Sequence, residues 1–178
     1  MTQQPQTPSP EQAALEAVAD LMCLAARTAP KARGLDNLYL AVVRGQDKSR
    51  VTARMREIAA EHDVGFFARD ADNCDAAGLV VLVGTKVGGL NIPHCGYCGF
   101  ENCAACTEAG GRCAFNSGDL GIALGSAAAV AAAHHADNRM MFSFGKSAIE
   151  AGIVPPDVKI AVGIPLSATG KSPFFDRE

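Results

Sequence analysis

The sequence predicts an α+β fold in which a mixed β-sheet is flanked by helices and one irregular loop is inserted between a strand and a helix. Its 178 residues fit a single domain. Residues 79–85 form an almost unbroken apolar, β-branched run, which is typical of a central strand covered on both faces. Between residues 86 and 117 hydrophobic periodicity disappears while Gly, Cys and Asn become frequent, so this stretch is predicted to be the inserted loop.

The first half of the chain predicts a helix, a strand, a second helix and a short edge strand. Ser9, Pro10 and Gln12 suit the N-cap, the first and the third helical position, so a helix begins here and ends before Pro30. Residues 38–44 are predicted as a strand. Asp47 is expected to cap the second helix, whose buried face is Val51, Met55, Ile58 and Ala59. Residues 64–67 resemble an edge strand, and the polar stretch 69–75 has no clear assignment.

Regular periodicity resumes after the predicted insertion. Residues 119–134 form an Ala-rich helical pattern, and residues 139–151 form another that ends at Gly152. Residues 158–164 are predicted as the last strand. This order lacks a regular βαβ alternation, which is why the sheet is expected to be mixed.

Charge and hydropathy exclude several classes of function. The net charge is −3 and no basic block occurs, so nucleic acid and anionic membranes are unlikely partners. The longest apolar run, residues 120–133, is too short to span a bilayer. Residues 1–10 have neither the basic nor the apolar region of a signal peptide, so we expect a flexible N-terminal tail and a cytoplasmic protein.

Five of the seven cysteines fall between Cys95 and Cys113. Their spacing is C-x2-C-x4-C, followed by a fourth ligand at Cys106 or Cys113. Four converging thiolates are the ligand set of an iron-sulfur cluster. Gly96 and Gly99 each follow a cysteine, where a positive φ would let the chain wrap closely around a cluster. The bulky neighbours that would shield it from water are Tyr97, Phe100 and Phe115.

Other uses of these thiols are open on the sequence alone. The pairs Cys95/Cys98 and Cys103/Cys106 resemble zinc knuckles, although only four residues separate them. The run Cys-Gly-Tyr-Cys also resembles a dithiol redox motif. His94 directly precedes the first cysteine and is interpreted either as an exposed loop residue or as a donor to a cluster sulfur. Isolated Cys23 and Cys74 are expected to be inert.

The segment 95–103 resembles the C-G-x-C-G-x3-C signature of 4Fe-4S modules in redox proteins. The chain is similar, from about residue 11 to 177, to a prokaryotic family of uncharacterised ferredoxin-domain-containing proteins. In that family the fourth cysteine lies in a G-x-C-A-F-N context, which here is Cys113, while the position of Cys106 is not usually a cysteine. The resemblance implies the ligands Cys95, Cys98, Cys103 and Cys113. The other stretches that carry it are residues 26–31, 34–37, 113–121, 137–139 and 163–177.

A weaker resemblance concerns the scaffold. Residues 27–37 and 158–165 are similar to the corresponding parts of flavin-dependent nitroreductases. That resemblance implies a nitroreductase-like sheet and an FMN cofactor, whose phosphate would be bound by positively charged side chains. The alternative is that the charged residues in question are ordinary solvated surface residues. The cationic candidates are Arg27, Lys31, Arg33, Lys171 and Arg177.

Taken together, these observations predict a 4Fe-4S redox or electron-transfer protein. The alternatives are an FMN-dependent, nitroreductase-like oxidoreductase in which the cluster relays electrons, and a zinc-binding interaction module. Residues 11–178 are expected to form one domain, with 86–117 as a ferredoxin-like insertion. The expected partner is a redox protein or a small electron donor or acceptor, and the Ala- and Gly-rich helix 119–134 would also suit a homodimer interface.

Overall fold

The computed structural model describes residues 9–175. Most of the predicted tail and Arg177 therefore lie outside the described residues. The elements follow in the order α1 (Pro10–Thr28), a 3-10 turn (Ala32–Gly34), β1 (Leu38–Val43), α2 (Gly45–His62), α3 (Gly65–Ala76), β2 (Leu79–Lys86), α4 (Cys103–Glu108), α5 (Ala114–Ala133), β3 (Asp137–Asn138), α6 (Phe142–Glu150) and β4 (Val158–Ser167). Among these residues, no helix is both long enough and apolar enough to cross a membrane.

The predicted α+β class, with helices flanking a sheet, is confirmed. The strand order is β1-β2-β4-β3, with β2 between two partners as expected. The prediction of a mixed sheet is wrong for these strands, because every pairing between them is antiparallel. The connections from β1 to β2 and from β3 to β4 return the chain to the end of the sheet that it left, whereas the connection from β2 to β3 carries it to the opposite end, since both of these strands are antiparallel to β4. Hydrophobic patterning carries no information about that direction.

Two hydrophobic clusters lie on opposite faces of the sheet. Successive residues of β2 point to alternate faces, so Val81 and Val83 join α1 and α5 on one face. Val80 and Leu82 join α2, α3 and α6 on the other. Neither cluster contains a residue from 87–113. The two clusters are therefore built outside this segment, whose own buried apolar residues are Leu90, Cys106 and Cys113.

The start of α1 forms as predicted. The backbone N–H of Gln12 donates to Ser9 Oγ at 3.3 Å, and the backbone N–H of Ser9 donates to Gln12 Oε1 at 3.1 Å. This reciprocal pair is a capping box.

The predicted edge strand at residues 64–67 is wrong, since α3 begins at Gly65. Phe67, Ala71 and Cys74 recur at helical spacing and are buried, so the residues with no clear assignment are helical as well. Asp47 is not the cap of α2. It lies in the first turn, where it pairs with Arg50.

Two later helices have different starts from those predicted. α5 begins at Ala114, five residues before the predicted start, because the polar residues 116 and 119 are buried inside its first turns. α6 begins at Phe142 because residues 137–138 pair with β4 and Met141 bridges to Gly163.

The backbone of α6 packs directly against β4. A Cβ placed on Gly145 would lie 1.9 Å from the carbonyl oxygen of Ala161, and one on Gly163 would lie 2.5 Å from Cδ1 of Phe144. Glycine at these two positions therefore sets how closely α6 approaches the sheet.

Candidate functional site

The segment that joins β2 to α5, residues 87–113, contains only the short α4 as regular structure. Its path depends on several left-handed residues, among them Asn91 (φ 51°), His94 (φ 53°) and Gly99 (φ 84°). The predicted positive φ is found at Gly99 and not at Gly96. The N–H of Gly99 donates to the carbonyl oxygen of Gly96 at 2.9 Å, so one turn suffices to bring Cys95 and Cys98 to the same side.

The predicted cysteines meet at one small cavity, with a volume of about 10 Å³. All of them are free thiols. Within residues 9–175 no three His, Cys, Asp or Glu side chains close on a single ion position. In this arrangement the described thiols are spread around the cavity and are not gathered at ligand distance from one single ion. Five line it: Cys95, Cys98, Cys103, Cys106 and Cys113.

Both candidates for the fourth ligand belong to this cavity. Cys106 is 3% exposed and Cys113 is 7% exposed, whereas the other three thiols are half-buried. Burial raises the pKa of Cys106, and a hydrogen bond with Cys98 together with the nearby Cys113 and Cys103 raises it further. Cys106 therefore lies next to three of the predicted ligands, Cys98, Cys103 and Cys113.

Helix starts position two of the thiols. Cys103 is the first residue of α4, after Asn102, whose side chain accepts the N–H of Ala105 at 3.0 Å. Cys113 is the N-cap of α5, and its sulfur makes no capping hydrogen bond. Cys113 is thus held at the first turn of a long helix, on the edge of the cavity.

Two glycines allow the chain to pass close to the thiols. A Cβ on Gly111 would lie 2.9 Å from Sγ of Cys106 and 2.7 Å from Cε2 of Phe100. A Cβ on Gly89 would lie 3.0 Å from the Cβ of Cys103. Gly111 thus lets the chain fold back over Cys106 and deliver Cys113 to the cavity.

Aromatic rings lie beside the thiols, as predicted. Tyr97 and Phe115 both line the cavity, and their rings stack with centroids 5.7 Å apart. Tyr97 is 82% exposed, so only one face of its ring is covered. The ring of Phe100 packs at Gly111.

Polar residues of α5 hold the loops around the cavity. Asn116, only 1% exposed, donates to the carbonyl oxygen of Gly88 at 2.7 Å and accepts from Asn37 Nδ2 at 3.1 Å. Asp119 accepts the N–H of Ala32 at 3.2 and 3.1 Å. Sequence reasoning missed these roles, although the spacing 113, 116, 119 places the three residues on one helix face.

The cations proposed for an FMN phosphate have other acceptors. Arg27 pairs with Asp36 at 2.6 Å, and Lys31 donates to the carbonyl oxygens of residues 27 and 29. Arg33 Nη1 donates to the carbonyl oxygens of Leu90, at 2.6 Å, and Asn91, at 3.2 Å. Each of these three side chains is therefore engaged with oxygens of the protein.

A second, open groove lies next to the cavity. Cys95 and Cys103 line both, and His94 and Glu101 line the groove alone. His94 is exposed and does not line the thiol cavity. These two sulfurs are therefore the ligand candidates that a second molecule in the groove would reach.

The isolated thiols are away from the cavity. Cys74 is fully buried, and burial together with the nearby Asp70 raises its pKa to about 12. Burial also raises the pKa of half-buried Cys23.

Native Cys74 should resist alkylation. With a pKa near 12, only about 1 in 10⁴ of this thiol is the reactive thiolate at pH 8. We expect iodoacetamide to leave Cys74 unmodified in the folded, metal-free protein while Cys95 reacts, as measured by peptide mass spectrometry. Denatured protein is the control, and equal labelling of Cys74 in both states would contradict the prediction.

Comparison with known proteins connects this site to a family. A family profile described as "Uncharacterized protein containing a ferredoxin domain" matches residues 109–177, which include Cys113. An uncharacterized protein of Archaeoglobus fulgidus is 39% identical over 165 residues, which are 88% of each chain.

Solved structures show the same fold at low identity. A nitroreductase with bound FMN from Desulfitobacterium hafniense has a TM-score of 0.59 and 17% identity, covering 98% of this chain and 86% of that one. A nitroreductase with bound FMN from Bacteroides fragilis has a TM-score of 0.58 and 14% identity, covering 97% and 83%. Since the archaeal relative matches nearly the whole chain, the protein belongs to the family of uncharacterized proteins that contain a ferredoxin domain, and its scaffold is the nitroreductase fold.

Proposed function

We propose that the protein holds one 4Fe-4S cluster through Cys95, Cys98, Cys103 and Cys113 and uses it for one-electron transfer. The observation that supports this best is the convergence of five free thiols on one cavity. Thiolates are the usual ligands of such clusters, so the donor set fits the group. When bound, the cluster would supply a site that accepts and releases single electrons.

The surrounding residues have separate tasks in this proposal. The start of α5 positions Cys113 at the cavity, and Gly111 makes room for the chain above Cys106. Tyr97 and Phe115 exclude water from one side of the cavity. Solvent exposure and hydrogen bonding to sulfur both set the reduction potential of a cluster, so these neighbours would tune it.

The remaining predictions about organisation belong to the same proposal. Residues 86–117 act as the ferredoxin-like insertion within a single domain of residues 11–178, in a cytoplasmic protein. The electron partner is a redox protein or a small molecule that approaches the groove beside Cys95 and Cys103. The homodimer suggested by the Ala- and Gly-rich helix remains a sequence-based prediction.

Anaerobic purification followed by metal and spectral analysis tests the proposal. We expect about four irons and four sulfides per chain and a broad visible absorbance that bleaches with dithionite. The absence of Trp keeps the protein background low. Zinc without sulfide would instead favour the structural zinc alternative and would contradict electron transfer.

A second candidate is a flavoenzyme in which the cluster relays electrons to FMN. It is favoured by the fold, which this chain shares over 98% of its length with a nitroreductase that binds FMN. The residues do not support a phosphate site at Arg27, Lys31 and Arg33, because all three donate to protein oxygens. Flavin released by denaturing the same anaerobic sample would support this candidate, and failure to bind FMN at micromolar concentration would contradict it.

A further inference from the structure

The backbone just before Cys95 adopts an unfavourable conformation at two residues. Asn91 and His94 both have a positive φ without being glycine, and both lie within four residues of Cys95. Residues other than glycine rarely adopt this conformation and persist in it where the surrounding structure holds them. The contacts that hold this segment should therefore determine where Cys95 lies.

Arg33 makes those contacts from a distant part of the chain. Its Nη1 bridges two consecutive carbonyl oxygens, that of Leu90 at 2.6 Å and that of Asn91 at 3.2 Å. The second of these belongs to a left-handed residue. Arg33 itself has a φ of 58°, and Gly34 after it has a φ of 66°, so the turn that presents the guanidinium is also strained.

The turn around Arg33 is fixed by the helix that carries Cys113. Asp119 accepts the N–H of Ala32, and Asn116 holds the carbonyl oxygen of Gly88. Arg33 then connects the turn to Leu90 and Asn91. A closed circuit of hydrogen bonds therefore runs from α5 to the turn, across to the cysteine segment and back to α5.

We propose that Arg33 is a positioning residue for the cysteine site, which fixes Cys95 relative to Cys113 by holding the strained backbone at Leu90 and Asn91. This inference rests on the proposed cluster. It replaces the sequence-based assignment of Arg33 to a flavin phosphate. Its acceptors are neutral carbonyl oxygens, one of them on Leu90, which lines the thiol cavity, so the uncompensated charge of the guanidinium would favour the more negative, reduced state of a bound cluster.

Arg33→Gln, Arg33→Lys and Arg27→Gln, each purified anaerobically with iron, test the inference. Arg27 is the matched control, because it also donates to a backbone carbonyl, that of Leu38 at 3.1 Å, yet contacts no residue of the cysteine segment. The measurements are the rate of iron release to a chelator, the electron paramagnetic resonance spectrum of the reduced protein and the midpoint potential. Circular dichroism verifies that each variant is folded.

We expect Arg33→Gln to release iron at least ~10-fold faster than wild type, with a broadened resonance and a more negative potential. Arg33→Lys retains the charge and a donor, so it should stay within about twofold of wild type. Arg27→Gln should match wild type in all three measurements. If Arg33→Gln fails to fold, Arg33→Met takes its place as the neutral variant, and wild-type iron release from that folded variant overturns the inference.

Wild-type behaviour of Arg33→Gln also overturns the inference and leaves the proposed function intact. Equal iron loss from Arg27→Gln and Arg33→Gln does the same, because the effect is then general destabilisation. A wild-type protein without iron and sulfide refutes the proposed function itself, and the role of Arg33 falls with it.

Discussion

Cys98→Ala is expected to abolish incorporation of the iron-sulfur cluster. Cys98 lines the thiol cavity and contacts Cys106, so its loss removes one thiolate from the proposed set of four and leaves the others in place. Three thiolates hold such a cluster poorly, and Cys106, which hydrogen-bonds with Cys98 in the same cavity, is the one thiol available as a replacement, so Cys98→Ala is also made together with Cys106→Ser. Iron and sulfide assays on anaerobically purified protein should fall to background, and the visible absorbance should disappear.

Cys23→Ser is the matched control, because Cys23 is a half-buried thiol of α1 outside the cavity. It should retain full iron and sulfide. A Cys98→Ala protein with wild-type iron and sulfide content would refute the ligand assignment.

The same assay distinguishes the two candidates for the fourth ligand. Cys113→Ser should lose the cluster and Cys106→Ser should keep it. The reverse result would show that the buried Cys106 is the ligand and that the assignment taken from the family resemblance is wrong.

Gly145→Ala should destabilise the fold by about 3 kcal/mol or more, because the new methyl group would overlap the backbone of β4. Its Cβ would lie 1.9 Å from the carbonyl oxygen and 2.2 Å from the carbonyl carbon of Ala161. Neither atom belongs to a flexible side chain, so relief requires α6 to move away from the sheet. That movement would also loosen Phe144, which is fully buried. Chemical denaturation monitored by circular dichroism measures the loss.

Gly125→Ala provides a control of the opposite sign. Gly125 lies in α5, is exposed, and has no atom within 4 Å of an added Cβ. Alanine is the better helix former, so this variant should be more stable by about 0.5–1 kcal/mol. Equal stabilities of Gly145→Ala and wild type would show that α6 is not held against β4 as described.

Much of the scaffold was predictable because its signals are local. The capping box at Ser9 and the apolar run of β2 each depend on a few neighbouring residues, and both are found where expected. The wrong prediction of an edge strand at residues 64–67 shows where local sequence signals are insufficient. A short apolar run fits a strand as well as the first turn of a helix, and only the burial of Ala71 and Cys74 farther along decides between them.

The cysteines of the site could also be found from sequence, because thiols are rare and their spacing is distinctive. The residues that shape the site could not. Arg33 lies more than fifty positions from Leu90, and Asn116 lies far from Asn37, so their contacts arise only when the chain is folded.

The location of the thiol cavity outside both hydrophobic clusters has a consequence for how the protein matures. Residues 87–113 contribute to neither cluster, so the sheet and its packed helices can assemble on newly made chains before any iron arrives. In zinc fingers, by contrast, metal binding supplies the free energy of folding. If the protein binds the proposed cluster, we therefore expect loading to follow folding, and a cell that is short of iron would accumulate folded chains without their cofactor.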